Sequence, residues 1–176
     1  MRTLKSEHCY LRALEPEDLD FIYDIENDES VWEVSNTITP YSRFLIQEYL
    51  DNAHKDIFEV KQLRLVICDN SDRTVGLIDL FDFDPHHKRA GVGVLIYDES
   101  SRAKGFGKAA LQMIIDYSFK QLNLHQLFCN ISEENTSSIK LFEQFNFQRI
   151  GTKKDWICIN NIYKDEYLYQ LINHVY

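Results

Sequence analysis

The apolar residues of this chain follow two spacings, one typical of buried strands and one typical of amphipathic helices. Apolar or alternating runs predict strands at residues 9–14, 63–68, 75–83, 90–97, 126–131, 147–150 and 161–171. Apolar residues three and four positions apart predict helices at 16–26, 42–55, 109–122 and 136–144. Residues 27–41 are polar with scattered apolar positions, and a loop is predicted there.

The connections between these strands predict a mixed sheet. The first three strands are expected to be antiparallel, whereas the connection between the fourth and fifth strands has the length of a helix, which favours a parallel pair. We therefore expect an α/β (α+β) fold with a mostly antiparallel sheet, one parallel central pair, and helices on both faces. With 176 residues, 44% of them apolar, a single domain spanning 1–176 is predicted.

Composition narrows the class of partner and the compartment. The net charge of −9 disfavours a nucleic-acid partner and favours a cationic one, although it can also serve solubility alone. The chain has no signal-like apolar segment and no apolar run of membrane-spanning length, so a cytoplasmic protein without a membrane partner is expected. Its four cysteines lack CxxC spacing, which argues against a metal site and for reduced thiols.

A glycine-rich turn between a strand and a helix is the clearest candidate for a binding site. It reads Arg102-Ala103-Lys104-Gly105-Phe106-Gly107-Lys108. Free N–H groups and the positive end of the helix dipole favour an anion there, and the lysines add charge. The alternative is an ordinary basic turn before a core helix.

Two other nucleotide motifs fit this turn less well. A P-loop needs GxxxxGK followed by Ser or Thr, and no stretch of the chain has that pattern. Residues 105–110 match GxGxxA, but seven residues separate the preceding strand from the first glycine, and no acidic residue stands about twenty positions later. A dinucleotide-binding fold is therefore disfavoured.

The order Arg-x-x-Gly-x-Gly, helix, strand and Asn135 resembles the GNAT acyltransferases. Within them the chain is most similar to the branch of spermidine or diamine N-acetyltransferases and ribosomal-protein N-acetyltransferases. The matching stretches are Leu-Arg-Ala-Leu at 11–14, Asp-Tyr-Ser-Phe at 116–119, Leu-Asn-Leu-His at 122–125 and Phe-Asn-Phe at 145–147.

The resemblance implies where the co-substrate acetyl-CoA binds. The fourth and fifth strands are expected to splay apart, so that the backbone of Val94, Leu95 and Ile96 pairs with the pantetheine arm. Residues 102–108 are then expected to hold the pyrophosphate. Asn135 would reach the arm, and its alternative role is that of a plain helix cap.

The resemblance also suggests an acceptor site, with two departures from the family pattern. Glu33 and Asp79 match carboxylates of the polyamine branch and are predicted to orient an ammonium group and relay its proton; the alternative for each is a solvated surface charge. Gly91 stands where that branch tends to have Glu. Trp32, Tyr41 and Phe81 are candidate walls of the site.

The second departure concerns the leaving thiolate. Phe142 replaces the Tyr that often serves as the acid in the family. Three interpretations are open: the thiolate leaves without a side-chain acid, since a thiol has a pKa near 8.5; Ser138 or Cys129 substitutes; or the chain binds acyl-CoA without turnover.

These features predict an acetyl-CoA-dependent N-acetyltransferase in which a polyamine or diamine attacks the thioester directly in a ternary complex. A primary amine with a pKa near 10.4 is almost fully protonated at pH 7, so such an enzyme must remove a proton before attack. Acetylation of a protein N-terminus and non-catalytic acyl-CoA binding are the alternatives. The resemblance also allows a homo-oligomer.

Overall fold

A computed structural model describes residues 4–35 and 37–174, so the ends of the predicted 1–176 domain lie outside the described residues. Seven strands form one sheet in the order β1-β2-β3-β4-β5-β7-β6. The strands are β1 (Cys9–Ala13), β2 (Leu63–Asp69), β3 (Thr74–Asp84), β4 (Arg89–Ile96), β5 (Gln126–Ser132), β6 (Gln148–Ile159) and β7 (Ile162–Ile172). The helices are α1 (Leu19–Asn27), α2 (Glu29–Ser35), α3 (Arg43–Asp51), α4 (Ile57–Val60), α5 (Phe106–Lys120) and α6 (Thr136–Gln144).

Alternation along the central strands produces two apolar cores, one on each face of the sheet. Ile78 and Leu80 of β3 pack in the core that contains α5 and α6. Leu77 packs on the other face with Ile22 of α1 and Ile46 of α3. The cores differ in extent, because the second covers only the β1–β4 half of the sheet.

The parallel pair at the centre of the sheet is short. Only Arg89, Ala90 and Gly91 of β4 pair with β5, opposite Gln126, Leu127 and Phe128. Beyond Gly91, β4 continues to Ile96 along β3, while β5 continues to Ser132 along β7. The facing edges therefore separate into a V, whose closed end is at Gly91 and Phe128. This confirms the predicted fold class, including the splayed parallel pair.

Three details differ from the sequence-based expectation. The predicted loop at 27–41 contains α2, which buries only Val31 and so shows no apolar stripe. The predicted strand at 147–150 extends to Ile159, because β6 is mostly exposed and its pairing with β7 shifts register twice, which hides the alternation. Helices α1 to α4 separate β1 from β2, although the two strands pair antiparallel as expected.

No helix in residues 4–35 or 37–174 is both long and apolar enough to cross a membrane.

Candidate active site

The turn between β4 and α5 presents a continuous row of free backbone N–H groups. Ala103 and Gly105 have positive φ angles of 60° and 88°, which turn the chain sharply before α5 begins. Ala109 is the first residue whose N–H reaches back to the turn, donating to Gly105 O at 2.9 Å. Within the described residues, the six N–H groups of residues 103–108 have no intramolecular acceptor. They are donors available to an anion.

The charges around this turn favour the same ligand. Lys104 and Lys108 are exposed and form no ion pair with any described residue. A Cβ added at Gly105 would meet nothing within 4 Å, so the space above the turn is open. A Cβ at Gly107 would lie 3.7 Å from Ile96 and 3.6 Å from Leu141. The start of α5 therefore meets the end of β4 and helix α6, and the predicted cofactor residues converge.

Arg102 has a different position from the rest of the turn. Its Nε donates to Ile96 O at 3.1 Å, and its guanidinium lies 3.5 Å from the carboxylate of Glu99. In this arrangement Arg102 ties the turn to the last residue of β4.

The predicted pantetheine residues lie on the unpaired edge of β4. Val94 and Ile96 pack toward the α5 core and Leu95 toward the opposite core, so their backbone groups alone face the V. Asn135 caps α6, because its Oδ1 accepts from Ser138 N–H at 3.1 Å. Its Nδ2 has no recorded acceptor among the described residues, which leaves a donor for a ligand. The cap and the binding role are therefore compatible.

The structure narrows the question of a thiolate acid. Phe142 is 3% exposed and packs edge-on against Phe147, with ring centroids 5.0 Å apart. Burial raises the pKa of Cys129 far above its usual value. Proton transfer from such a thiol to a leaving thiolate of ordinary pKa would be uphill. Cys129 is therefore a poor substitute for the missing tyrosine.

Asp79 lies on the face of the sheet opposite α5, but it is not a free carboxylate. Arg64 of β2 binds both of its oxygens, at 2.8 and 3.2 Å. The same guanidinium donates to Glu26 of α1 at 2.6 Å and lies over the ring of Tyr49. Burial opposes the charge of Arg64, but Asp79 together with Tyr49 and Glu26 raises its pKa well above the usual range. Two carboxylates share one cation, so the cluster keeps one negative charge.

Phe81 occupies the space that a side chain at position 91 would need. A Cβ built on Gly91 would lie 2.2 Å from a carbon of the Phe81 ring. The same ring contacts Phe128 edge-on, with centroids 5.8 Å apart, directly across the closed end of the V. The predicted wall residue Phe81 is thus part of this site, and it explains why Gly91 lacks a side chain.

Glu33 is also paired inside the protein. Its Oε1 accepts from Lys164 Nζ of β7 at 3.0 Å. Trp32, next to it, donates its ring N–H to Glu26 O at 2.9 Å, which places both predicted residues beside α1. Tyr41 is exposed. His86 and His87 lie exposed in the β3–β4 turn, as plain turn residues do.

Sequence reasoning missed the two cations of this face, Arg64 and Lys164. Arg64 carried a weak signal, because it is a charged residue inside the apolar run of β2. Lys164 carried none, since its partner Glu33 is 131 residues away in sequence.

Comparisons with known proteins agree with this geometry. A family profile described as an acetyltransferase (GNAT) domain matches residues 8–148. The spermidine N(1)-acetyltransferase of Vibrio cholerae is 32% identical over 155 residues, covering 88% of this chain and 87% of that protein. An uncharacterised N-acetyltransferase of Bacillus licheniformis is also 32% identical and covers 100% of this chain and 99% of that protein.

Solved structures give the same answer. The crystal structure of spermidine N-acetyltransferase from Vibrio cholerae in complex with CoA and spermine superposes with a TM-score of 0.83 at 29% identity, covering 95% of this chain and 96% of that one. The chain belongs to the GNAT family of N-acetyltransferases, as its sequence predicted. Acetyl-CoA, the expected co-substrate, is the acyl donor of that family.

Proposed function

We propose that this enzyme transfers the acetyl group of acetyl-CoA to a primary amine of a polyamine or diamine. The observation that carries the donor half is the row of six unpaired N–H groups at residues 103–108, next to the unpaired edge of β4. The acceptor half is supported by the relatives, which are named spermidine N-acetyltransferases. All residues named below as site residues are part of this proposal.

On the donor side, the chain supplies backbone groups rather than charged side chains. The N–H groups of residues 103–108, with Lys104 and Lys108, would hold the pyrophosphate, and Arg102 would keep the turn against β4. Val94, Leu95, Ile96 and Asn135 would hold the pantetheine arm. Backbone N–H groups on the unpaired edge of β4 are the available donors for the oxyanion that forms when an amine attacks a thioester.

On the acceptor side, the chain must hold an ammonium group and let it lose a proton. Asp79 lies opposite Gly93, two residues beyond the closed end of the V, and Glu33 lies on α2 over the same face. Both are proposed to attract and orient the cationic acceptor, which passes its proton to a carboxylate or to water before attack. With Phe142 buried and Cys129 a poor acid, the thiolate is proposed to leave without side-chain assistance.

A second candidate, acetylation of a protein N-terminus, is favoured by one observation. An open cavity of about 640 Å³ lies beside Phe128 on the acceptor face. Its lining includes two carboxylates, two cations and three side-chain amides, from Asp82, Asp84, Arg89, Lys153, Gln126, Asn130 and Gln170. Such a balanced and amide-rich surface suits a peptide backbone better than a highly charged polyamine.

One panel of acceptors separates the candidates. The protein is incubated with acetyl-CoA and either spermidine, putrescine or N-terminal peptides, and release of free CoA thiol is followed. We expect turnover with the polyamines. Turnover with peptides alone would establish the second candidate, and CoA binding without thiol release from any acceptor would show a non-catalytic acyl-CoA-binding protein.

A further inference from the structure

Lys164 joins two parts of the molecule that lie far apart in sequence. Its ammonium lies 3.0 Å from Oε1 of Glu33 in α2 and 2.5 Å from Oε2 of Glu134 in the β5–α6 connection. The Lys164 side chain is 15% exposed, whereas those of Glu33 and Glu134 are 40% and 62% exposed. The cation is therefore shielded, and its two carboxylates remain accessible to solvent.

This contact lies on the acceptor face of the sheet. Tyr167 and Tyr169 of β7 pack against the α5 core, so the alternate residues Lys164 and Glu166 belong to the opposite face, with Asp79 and Phe81. Two contacts therefore bridge the V on that face. The Phe81–Phe128 pair closes its narrow end, and the Lys164–Glu33 pair crosses from α2 to β7. An acceptor that approaches from this face meets both.

The charges around Lys164 match those that a cationic acceptor would seek. Hydrogen bonds to Glu134 and Glu33 raise the pKa of Lys164 above its usual value, so the side chain is an ammonium at neutral pH. Two carboxylates and one ammonium leave a net charge of −1. A second amine of a polyamine carries the same group as Lys164 and can make the same hydrogen bonds.

We propose that Lys164 is a specificity-determining residue: an internal ammonium that a cationic acceptor must displace from Glu33 and Glu134 in order to bind. This inference rests on the proposed polyamine function. An acceptor with two or more amines can use one amine for the reaction and another to replace Lys164. An acceptor with a single amine has no second cation, so it leaves the Lys164 bridge in place.

The test is Lys164→Met, which keeps much of the side-chain length and removes the charge. We expect the KM for spermidine to fall roughly three- to tenfold, because two accessible carboxylates lose their internal competitor. The kcat should stay within about twofold, since Lys164 is not proposed to touch the reacting atoms. For a neutral peptide with only its N-terminal amine, the KM should not change.

The matched control is Lys154→Met, which makes the same change in net charge one strand away. Lys154 pairs with Asp165, which alternation places on the other face of β7, and its side chain is 79% exposed. Its KM for spermidine should equal that of the wild type, and so should that of Lys164→Arg, which keeps a cation. A second variant, Glu33→Gln combined with Lys164→Met, should lose part of the gain.

Affinity of the CoA-saturated protein for spermine, measured by calorimetry, separates this inference from the proposed function because it needs no turnover. Tighter spermine binding by Lys164→Met, without polyamine acetylation, would support the competitor role while overturning the proposed substrate. An unchanged or weaker affinity in a variant whose melting temperature matches the wild type would overturn the inference. If Lys164→Met does not fold, an unchanged affinity in Glu33→Gln would overturn it.

Discussion

The donor and acceptor sides of the V hold their polar groups in opposite states. On the donor side, six consecutive N–H groups and two lysines have no partner within the described residues. On the acceptor side, carboxylates are already paired with internal cations: Asp79 with Arg64, Glu33 with Lys164, and Glu166 with Lys153. One side is open to its ligand, and the other already contains substitutes for one.

The difference follows from the kind of group that each side uses. Backbone N–H groups at a helix start point along the helix axis and cannot rotate toward a neighbour, so they stay unpaired until a ligand arrives. Side-chain carboxylates rotate, and they find nearby cations. A ligand for the first side therefore gains new contacts, whereas a ligand for the second exchanges old contacts for new ones. We expect substitutions on the donor side to have the larger effects on binding.

The largest effect is expected from Gly107→Asp in the donor turn. A carboxylate there would face the diphosphate of CoA, and like charges about 4 Å apart in partly shielded surroundings repel by roughly 4 kcal/mol. We expect the Kd for CoA, measured by calorimetry, to rise about 100-fold or more.

Two controls separate charge from shape. Gly107→Ala adds only a Cβ, which would lie 3.6 Å from its nearest neighbour, an ordinary contact, so its Kd should stay within about threefold. Gly151→Asp places the same charge on β6, where nothing lies within 4 Å of the new Cβ, and should leave CoA binding intact. Wild-type affinity in Gly107→Asp would mean that the phosphates bind elsewhere.

A smaller effect, on stability, is expected from Gly91→Ala at the closed end of the V. The new Cβ would lie 2.2 Å from the Phe81 ring, so the ring must move and disturb its contact with Phe128. We expect the free energy of unfolding in urea to fall by about 1–3 kcal/mol.

The neighbouring glycine provides the control for this substitution. A Cβ at Gly93 would lie 3.9 Å from the Phe81 ring, so Gly93→Ala should be tolerated. Combining Gly91→Ala with Phe81→Leu should recover part of the loss, since the two positions compete for one space. Equal stability losses in the two single alanine variants would show that Phe81 is not the cause.

What the sequence predicted correctly depends on local patterns. The glycine turn, the Asn135 cap and the end of α6 each follow from a few adjacent residues, and Asn146 has the expected positive φ of 63° just after that helix. The apolar runs of β2 to β5 were equally readable, because each strand packs into a core on at least one face.

What the sequence did not reveal depends on distant pairs and on exposed elements. Nothing near Asp79 indicates that Arg64 binds it, and nothing near Glu33 indicates Lys164, because these partners meet only after the sheet and its helices have formed. Helix α2 and the outer half of β6 bury too few apolar residues to show a period. The acceptor site was therefore predictable as a set of carboxylates but not as a set of ion pairs.

The smallest predicted effect concerns the acceptor side and compares two carboxylates on the same cation. Asp79→Asn and Glu26→Gln each remove one negative charge from Arg64, and each leaves the guanidinium one carboxylate partner. Asp79 comes from the strand beside the V, whereas Glu26 comes from the last turn of α1. We expect Asp79→Asn to raise the KM for spermidine about tenfold, the loss of one charge-assisted contact, and Glu26→Gln to raise it less than twofold.

Steady-state kinetics over a range of spermidine concentrations, with melting temperatures for both variants, decides the comparison. If the two substitutions lower stability alike but only Asp79→Asn raises the KM, Asp79 contacts the acceptor as well as Arg64. If both raise the KM equally, the Arg64 cluster acts by supporting the fold, and the acceptor is oriented by Glu33 and Glu134. In that case exchange at Lys164 becomes the main determinant of acceptor choice, because those two carboxylates are the ones that Lys164 occupies.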